Sequence, residues 1–426
     1  MPCAALCNLG CSKNQVDGSQ MLEHLHLAGY TLTEDLAQAD VILVNTCAFI
    51  QEAKMEAIDK ILEVATYKKT GRCTTLAVCG CFSQRFRETV QHEFPEVDIW
   101  AGVHDWSQQF SKHLKTKAKP QFVRVLSEPL ATQYLKISEG CSHRCTFCAI
   151  PGIRGNFKSR SEADIITEAL WLESKGVREC ILVSQDTSYY GTDRNSTLTR
   201  LLEKLLKNTS FPWIRIMYLH PSRVDDELLC LVAQEPRLCP YFDIPFQHAA
   251  DPILRAMHRK PLAKGNRALI ERIRTIVPNS ALRTTFIVGF PHETEAMFGD
   301  LVHFVEDMRF EKMGVFPFSP EEDTPAFSMR PRPHNATAAR RCEELMAVQR
   351  EISKSIGKSR VGITVDVIVD EMVAMVPPFC QGRTRWDAPE IDGSVFIKKG
   401  MAKVGSIVPV TITSADEYDL YGTLVQ

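Results

Sequence analysis

The chain has 426 residues, 44% hydrophobic and 24% charged, with a formal net charge of −2. That length allows two or three domains, and that balance excludes a molecule that is basic throughout and binds nucleic acid by bulk charge. The opening MPCAALCNLGCSKNQ has no basic region leading into an apolar stretch, so no signal peptide is expected, and no apolar run reaches the roughly 18 residues of a membrane span. In a reducing cytoplasm, 15 cysteines are expected as metal ligands or buried thiols rather than disulfides.

Apolar runs and helical patterns alternate through the first hundred residues. AALCNLG (4–10), DVILVNT (40–46), TTLAVCG (74–80) and VDIWAGV (97–103) read as strands; helices are expected near Asp17–Ala28, after DVILVNT through Tyr67, and near Ser83–Phe94. Strand, helix, strand in this repetition predicts a parallel α/β sheet. The polar, basic SKHLKTKAKPQF (111–122) opens a linker assigned to 113–130, after a first domain of 1–112. Alternation resumes with YLKIS (134–138), ECILVSQ (179–185), WIRIMYL (213–219), YFDIP (241–245), LRTTFIVG (282–289) and KMGVFPF (312–318). Helices such as Glu162–Ser174, Leu198–Lys207 and Ala296–Met308 fall between them. Six βα units predict a partial (β/α)6 barrel over 131–358, with its chemistry at the C-terminal strand ends. A charged helix near Ala336–Lys358 leads into short β segments, so 359–426 is expected as a small antiparallel β-barrel.

Chemistry concentrates first in EGCSHRCTFCAIP (139–151), where Cys141, Cys145 and Cys148 are spaced C-x₃-C-x₂-C. Buried thiols fit poorly in so polar a loop, and a zinc site needs a fourth ligand, for which His143 is nearly too close to its neighbours. Three thiolates on a cubane leave one iron open. The spacing, with Phe147 before the last cysteine, resembles the radical S-adenosylmethionine (SAM) superfamily, and it implies SAM bound at that open iron and a 5′-deoxyadenosyl radical on reduction. Gln185, Asp186 and Ser188 after the second strand, and Ile287 and Gly289 in TTFIVGFPHE, are candidate cofactor contacts. A role in ending strands explains each equally well.

Cys11, Cys47 and Cys81 each follow one of three successive N-terminal strands. Parallel strands about 4.8 Å apart share one C-terminal rim, so these cysteines are expected to converge as a second triad. Burial in the core accounts better for Cys3, Cys7 and Cys79.

LGCSKNQVDG, VNTCAFI, VCGCFSQR, LKISEGCSHRCTFCAIP, YFDIPFQHAADPILRAMHR and GRTRWDAPEIDG together resemble the methylthiotransferase family of radical SAM enzymes over essentially the whole chain. The resemblance is strongest to the branch acting on ribosomal protein S12. It implies a methylthiotransferase domain, a radical SAM domain and a TRAM domain. It also implies two [4Fe–4S] clusters, on Cys11, Cys47 and Cys81 and on Cys141, Cys145 and Cys148. Gly18 and the extra Cys79 depart from the family pattern, and Cys81 is preferred over Cys79 as a ligand. The implied reaction uses SAM twice, once to methylate cluster-bound sulfur and once to abstract hydrogen from the β-carbon of an S12 aspartate. A flavodoxin or ferredoxin is the implied electron donor.

The alternatives are methylthiolation of a tRNA adenosine and, less well matched, an iron–sulfur redox protein. From Val361 onward there are nine acidic residues (Asp366, Asp370, Glu371, Asp387, Glu390, Asp392, Asp416, Glu417, Asp419) against Arg383, Arg385, Lys398, Lys399 and Lys403. That balance favours a basic ribosomal protein over an RNA backbone. The chain is expected to be cytoplasmic, with no membrane partner. Gln247, His248 and the basic loop IRGNFKSR (153–160) are left between substrate contact and ordinary structural or solvated roles.

Overall fold

The computed structural model describes residues 1–114, 116, 123–375 and 378–425. Residues 115 and 117–122 of the expected linker lie outside them. Two compact units emerge, one of residues 1–127, 134–171 and 321–327, the other of 128–133, 172–320 and 328–426.

In the first unit the strands β1 (Cys3–Asn8), β2 (Thr31–Leu32), β3 (Val41–Thr46), β4 (Thr75–Gly80) and β5 (Ile99–Ala101) form one parallel sheet, ordered β2-β1-β3-β4-β5. β3 is buried along its whole length, as a central strand covered on both faces must be. Alternation divides its neighbours between two cores. Ile42, Val44, Leu76 and Val78 pack on one side, and Val41, Leu43, Ala77 and Cys79 on the other with Met21, Leu25 and Phe110. Helix α1 (Ser12–Leu27) begins five residues before the expected start, with Cys11 as its N-cap. Helix α2 (Gln51–Ala65) follows β3, and a helix at Cys81–Val90 follows β4. The order reverses between β1 and β3, which makes that rim the point where such sheets take ligands.

All six barrel strands are present. Thr132–Lys136 straddles the two units. In the second unit Glu179–Val183 pairs in parallel with Trp213–Ile216, and Tyr241–Asp243 with Ala281–Val288, which pairs with Lys312–Pro317. Helices Leu198–Asn208, Asp226–Gln234 and Glu295–Met308 are capped by Thr197, Asp225 and Thr294, whose side chains accept from the first turn. Helix Asn335–Ser359 then leads to Thr364–Val373, Phe379–Thr384, Val395–Lys399, Ile407–Ala415 and Leu420–Leu424. These close into a five-stranded barrel around Val367, Val369, Cys380, Ile397 and Val410. Four of its pairings are antiparallel; Val395–Lys399 and Leu420–Leu424 run parallel.

The segment 382–393 ties this barrel to the strands before it. Arg383 lies 2.9 Å from Glu179 and 2.8 Å from Asp370, and Arg215 lies 2.7 Å from Glu179. Arg385 donates to the Pro236 carbonyl, Trp386 to that of Asn279, and Tyr241 to Asp392, while Lys312 pairs with Asp387 at 2.5 Å. Among the described residues no helix is long and apolar enough to cross a membrane.

Candidate metal centres

Cys11, Cys47 and Cys81 leave the C-terminal ends of β1, β3 and β4, on either side of the switch point. Cys11 caps α1 and Cys81 is the first residue of its helix. Gly10, at φ +88°, passes so near β3 that an added Cβ would lie 2.8 Å from the Cβ of Cys47 and 3.3 Å from its sulfur. Asn14 ties the loops together, its Nδ2 donating to the carbonyls of Leu9 (3.0 Å) and Thr46 (2.9 Å). The Cys81 sulfur lies 3.8 Å from Asn14 Oδ1.

The Arg154 guanidinium bears on all three thiols. Burial alone would raise Cys11, but Lys13, Arg154 and the backbone N–H groups opening α1 hold it below its ordinary value. Cys47 is raised, first by burial and then by Cys11, against backbone donors from Phe49 and Ala48. Cys81 is pushed up to about 12 by burial, with Cys47 and Cys11 adding to the rise and Arg154 opposing it. Three thiolates so placed repel one another. A cationic cluster displacing the protons would relieve that repulsion, so the donor set fits an iron–sulfur group. Among the described residues, no three or more His, Cys, Asp or Glu side chains are already disposed as metal ligands. Cys79 does not compete. It lies fully buried in the α1 side of the core, and burial drives its thiol far above the ordinary range.

The other triad sits in a loop closed at its base by the pairing of Ser138 with Ser159 and Glu139 with Lys158. Within it Cys141 N donates to the Gly155 carbonyl (3.0 Å) and Cys148 N to that of Cys145 (3.1 Å). Phe147 is half-buried. A cavity of about 310 Å³ is lined by Cys145 and Cys148 together with Gln84, Arg85, Arg144 and Asp323. Arg85 is held there by Glu321 at 3.0 Å, which Lys54 also meets at 2.8 Å.

The remaining candidates lie in the second unit. Asp186 is buried and accepts from Ser188 Oγ (2.5 Å), which in turn accepts from His220 N (2.9 Å). Gln185 is half-buried beside it. Ile287 is half-buried and donates to the Gln247 carbonyl (2.8 Å). Gly289 N donates to the Glu293 carboxylate, which His248 and Arg341 also meet, at 3.3 and 3.1 Å. His248 Nδ1 accepts from Ala250 N, so Nε2 carries the proton offered to Glu293. That places His248 in the support of the Gly289 turn. In the basic loop 153–160, Arg154 departs from the expectation of a solvated face, with a side chain only 1% exposed.

Over 444 residues the chain is 42% identical to ribosomal protein uS12 methylthiotransferase RimO of Desulforamulus reducens, covering all of both chains. It is 44% identical to the RimO of Anaeromyxobacter sp. (strain K), covering 98% of this chain and 92% of that one. This chain belongs to the RimO family. Residues 4–102 match the uncharacterized protein family UPF0004, 135–305 the radical SAM superfamily and 361–425 the TRAM domain. The RimO-family fold resembles the cobalamin- and [4Fe–4S]-bound radical SAM methyltransferase TsrM of Kitasatospora setae, with a TM-score of 0.56 at 13% identity over 76% of this chain and 77% of that one. It also resembles the cobalamin-dependent radical SAM enzyme OxsB, with a TM-score of 0.53 at 12% identity over 82% and 56% of the two chains.

Proposed function

We propose that the chain is a cytoplasmic radical SAM methylthiotransferase that places a methylthio group on the β-carbon of an aspartate in ribosomal protein S12. The observation that carries this reading is the presence of both cysteine triads in one compact unit, one at the switch point of a parallel sheet and the other in a loop closed by its own short strand pairing. Cys141, Cys145 and Cys148 would hold one [4Fe–4S] cluster and Cys11, Cys47 and Cys81 a second. When bound, the first supplies one-electron cleavage of SAM and the second a site for sulfur. The protein's share is placement. β1, β3 and β4 deliver three thiols to one rim and the closed loop fixes the other three, while Phe147, Gln185, Asp186, Ile287 and Gly289 are each proposed as SAM contacts. A small one-electron donor of the flavodoxin or ferredoxin kind supplies reducing equivalents.

Charge supports a protein substrate. Docking of the C-terminal barrel engages Asp370, Asp387 and Asp392 together with Arg383 and Arg385. The remaining charges of this segment are six acids against three lysines, a net negative balance that disfavours phosphates and favours a basic ribosomal protein. One observation favours RNA instead. By strand alternation Phe379, Phe396 and Tyr421 point away from the barrel core, Phe396 stacks on Tyr421 at 5.4 Å, and Lys398 lies 4.3 Å over the Tyr421 ring.

Reconstituted, reduced protein given SAM with S12 or with tRNA separates the readings. Mass spectrometry is expected to find methylthio-aspartate in S12 and no change in tRNA; tRNA modified alone overturns the proposal. A Cys145→Ala variant is expected to form no 5′-deoxyadenosine.

A further inference from the structure

Arg154 lies six residues beyond Cys148, in the loop that carries the radical triad, yet its guanidinium reaches the other triad. It donates to Asn14 Oδ1 at 2.5 Å and pairs with Asp17 at 3.1 Å and Glu139 at 2.9 Å. Lys136 pairs with the same two carboxylates, so two cations meet two anions and the buried group is neutral. Asn14 is the amide that gathers the loops before Cys11 and Cys47 and lies beside the Cys81 sulfur. One cation therefore touches the junction from which all three N-terminal ligands depart. An ion-pair staple needs only the two carboxylates. The additional bond to Asn14 uses the second arm of the planar guanidinium fork, which lysine lacks.

We propose that Arg154 is a positioning residue for the N-terminal triad, orienting its three sulfurs through Asn14 and offsetting their negative charge from the loop that carries the other triad. The proposal rests on the reading that Cys11, Cys47 and Cys81 hold a cluster. Burial of the guanidinium keeps bulk water from screening it; Asp17 and Glu139 offset part of its charge, and the remainder acts on whatever the thiolates bind.

The test uses the full chain with Cys141, Cys145 and Cys148 all replaced by alanine, so that any iron taken up belongs to the N-terminal triad. Iron is expected in this background after anaerobic reconstitution; its absence removes the underlying reading rather than the role of Arg154. Into the background go Arg154→Lys, Arg154→Gln and the pair Arg154→Gln with Asp17→Asn. The pair makes the buried group neutral again and so protects the fold if the single change does not. Iron per chain and the midpoint potential from an EPR-monitored redox titration are the readouts, with thermal unfolding of the iron-free forms as the folding check. R154Q is expected to bind less iron and to titrate at a more negative potential, because the reduced state loses a neighbouring cation. R154K is expected to stay near the parent potential. The neutral pair also loses the Asp17 anion, so its potential is expected to return toward the parent value while its iron content stays low, because the bond to Asn14 is still missing. Iron content restored to the parent value in the pair would make Arg154 a staple only and overturn the proposal, as would a parent potential in R154Q itself.

Discussion

Arg383→Met removes a guanidinium while keeping a side chain of similar reach. Arg383 is 5% exposed, and its charge sits between Glu179, which is wholly buried, and Asp370, which is 19% exposed. With Arg215 these groups form a neutral set, and the substitution leaves it one unit negative. Breaking a buried pair by deleting one partner costs about 3–5 kcal/mol. Glu179 retains Arg215 at 2.7 Å and Asp370 has some access to water, so the lower part of that range is expected. Burial already raises Asp370 while Arg383 pulls it down. Without Arg383 it takes a proton more readily, so the deficit should shrink at mildly acidic pH. Adding Asp370→Asn restores neutrality and should recover about 1–2 kcal/mol, a coupling typical of groups in one network. Urea unfolding followed by tryptophan fluorescence reads the loss, since Trp386 is bonded to the Asn279 carbonyl at 2.8 Å within the docking segment. Limited proteolysis reads release of the C-terminal barrel. An unchanged midpoint and protease resistance in R383M, or a double variant no better than the single one, would refute the reasoning.

Cys79→Ser should cost about 1–3 kcal/mol by burying a hydroxyl in the core while leaving iron per chain intact, whereas Cys81→Ser should lower iron. Gly289→Ala forces a Cβ to 2.5 Å from that of Ala338 at φ +73°, so about 2–5 kcal/mol should be lost, with weaker SAM binding by calorimetry. For the Lys312–Asp387 pair, burial would raise Asp387, but Lys312 and Arg360 hold it low; burial would lower Lys312, but Asp387 and Asp392 hold it high. The depressed carboxyl contributes stability above about pH 4 and loses it as pH falls through the lower folded value. The raised amine contributes below about pH 10 and loses it as pH rises through the higher folded value. The gap in urea midpoint between the parent and Lys312→Met should therefore be flat across about pH 5–10 and narrow outside it. A gap that peaks within that window would count against this pairing.

The N-terminal architecture was legible because strand, cysteine and helix recur locally, and a parallel sheet brings such points to one rim. Cys79 lies within the strand on a core face, whereas Cys81 lies just beyond the strand end at the start of the next helix. Two features had no local signal. β2 is only Thr31–Leu32, an edge pairing with Cys3 and Ala4 that leaves no periodicity to read. The start of α1 was missed because Cys11 caps it in place of the usual serine or aspartate. IRGNFKSR stays open between substrate contact and a solvated role in the sequence because Asp17, which helps bury Arg154, lies 137 residues away. In GRTRWDAPEIDG the pattern was visible but its use was not. Its charges meet Glu179, Arg215, Lys312 and Tyr241 only after two parts of the chain have folded together.

The spacing of the two triads implies an order of maturation. Cys141, Cys145 and Cys148 fall within eight residues, so closing their loops costs about 1 kcal/mol each, and iron can be captured by a chain that has not yet folded. Between Cys11 and Cys47 lie 35 residues, and between Cys47 and Cys81 another 33. Closing each of those loops in a disordered chain costs about 3 kcal/mol. Once the sheet has formed, that closure is already complete. On the proposed two-cluster reading, a centre at the sheet rim is therefore a product of folding, while the loop centre can precede it. Slow-folding variants should emerge from the cell with the compact motif filled and the dispersed one empty.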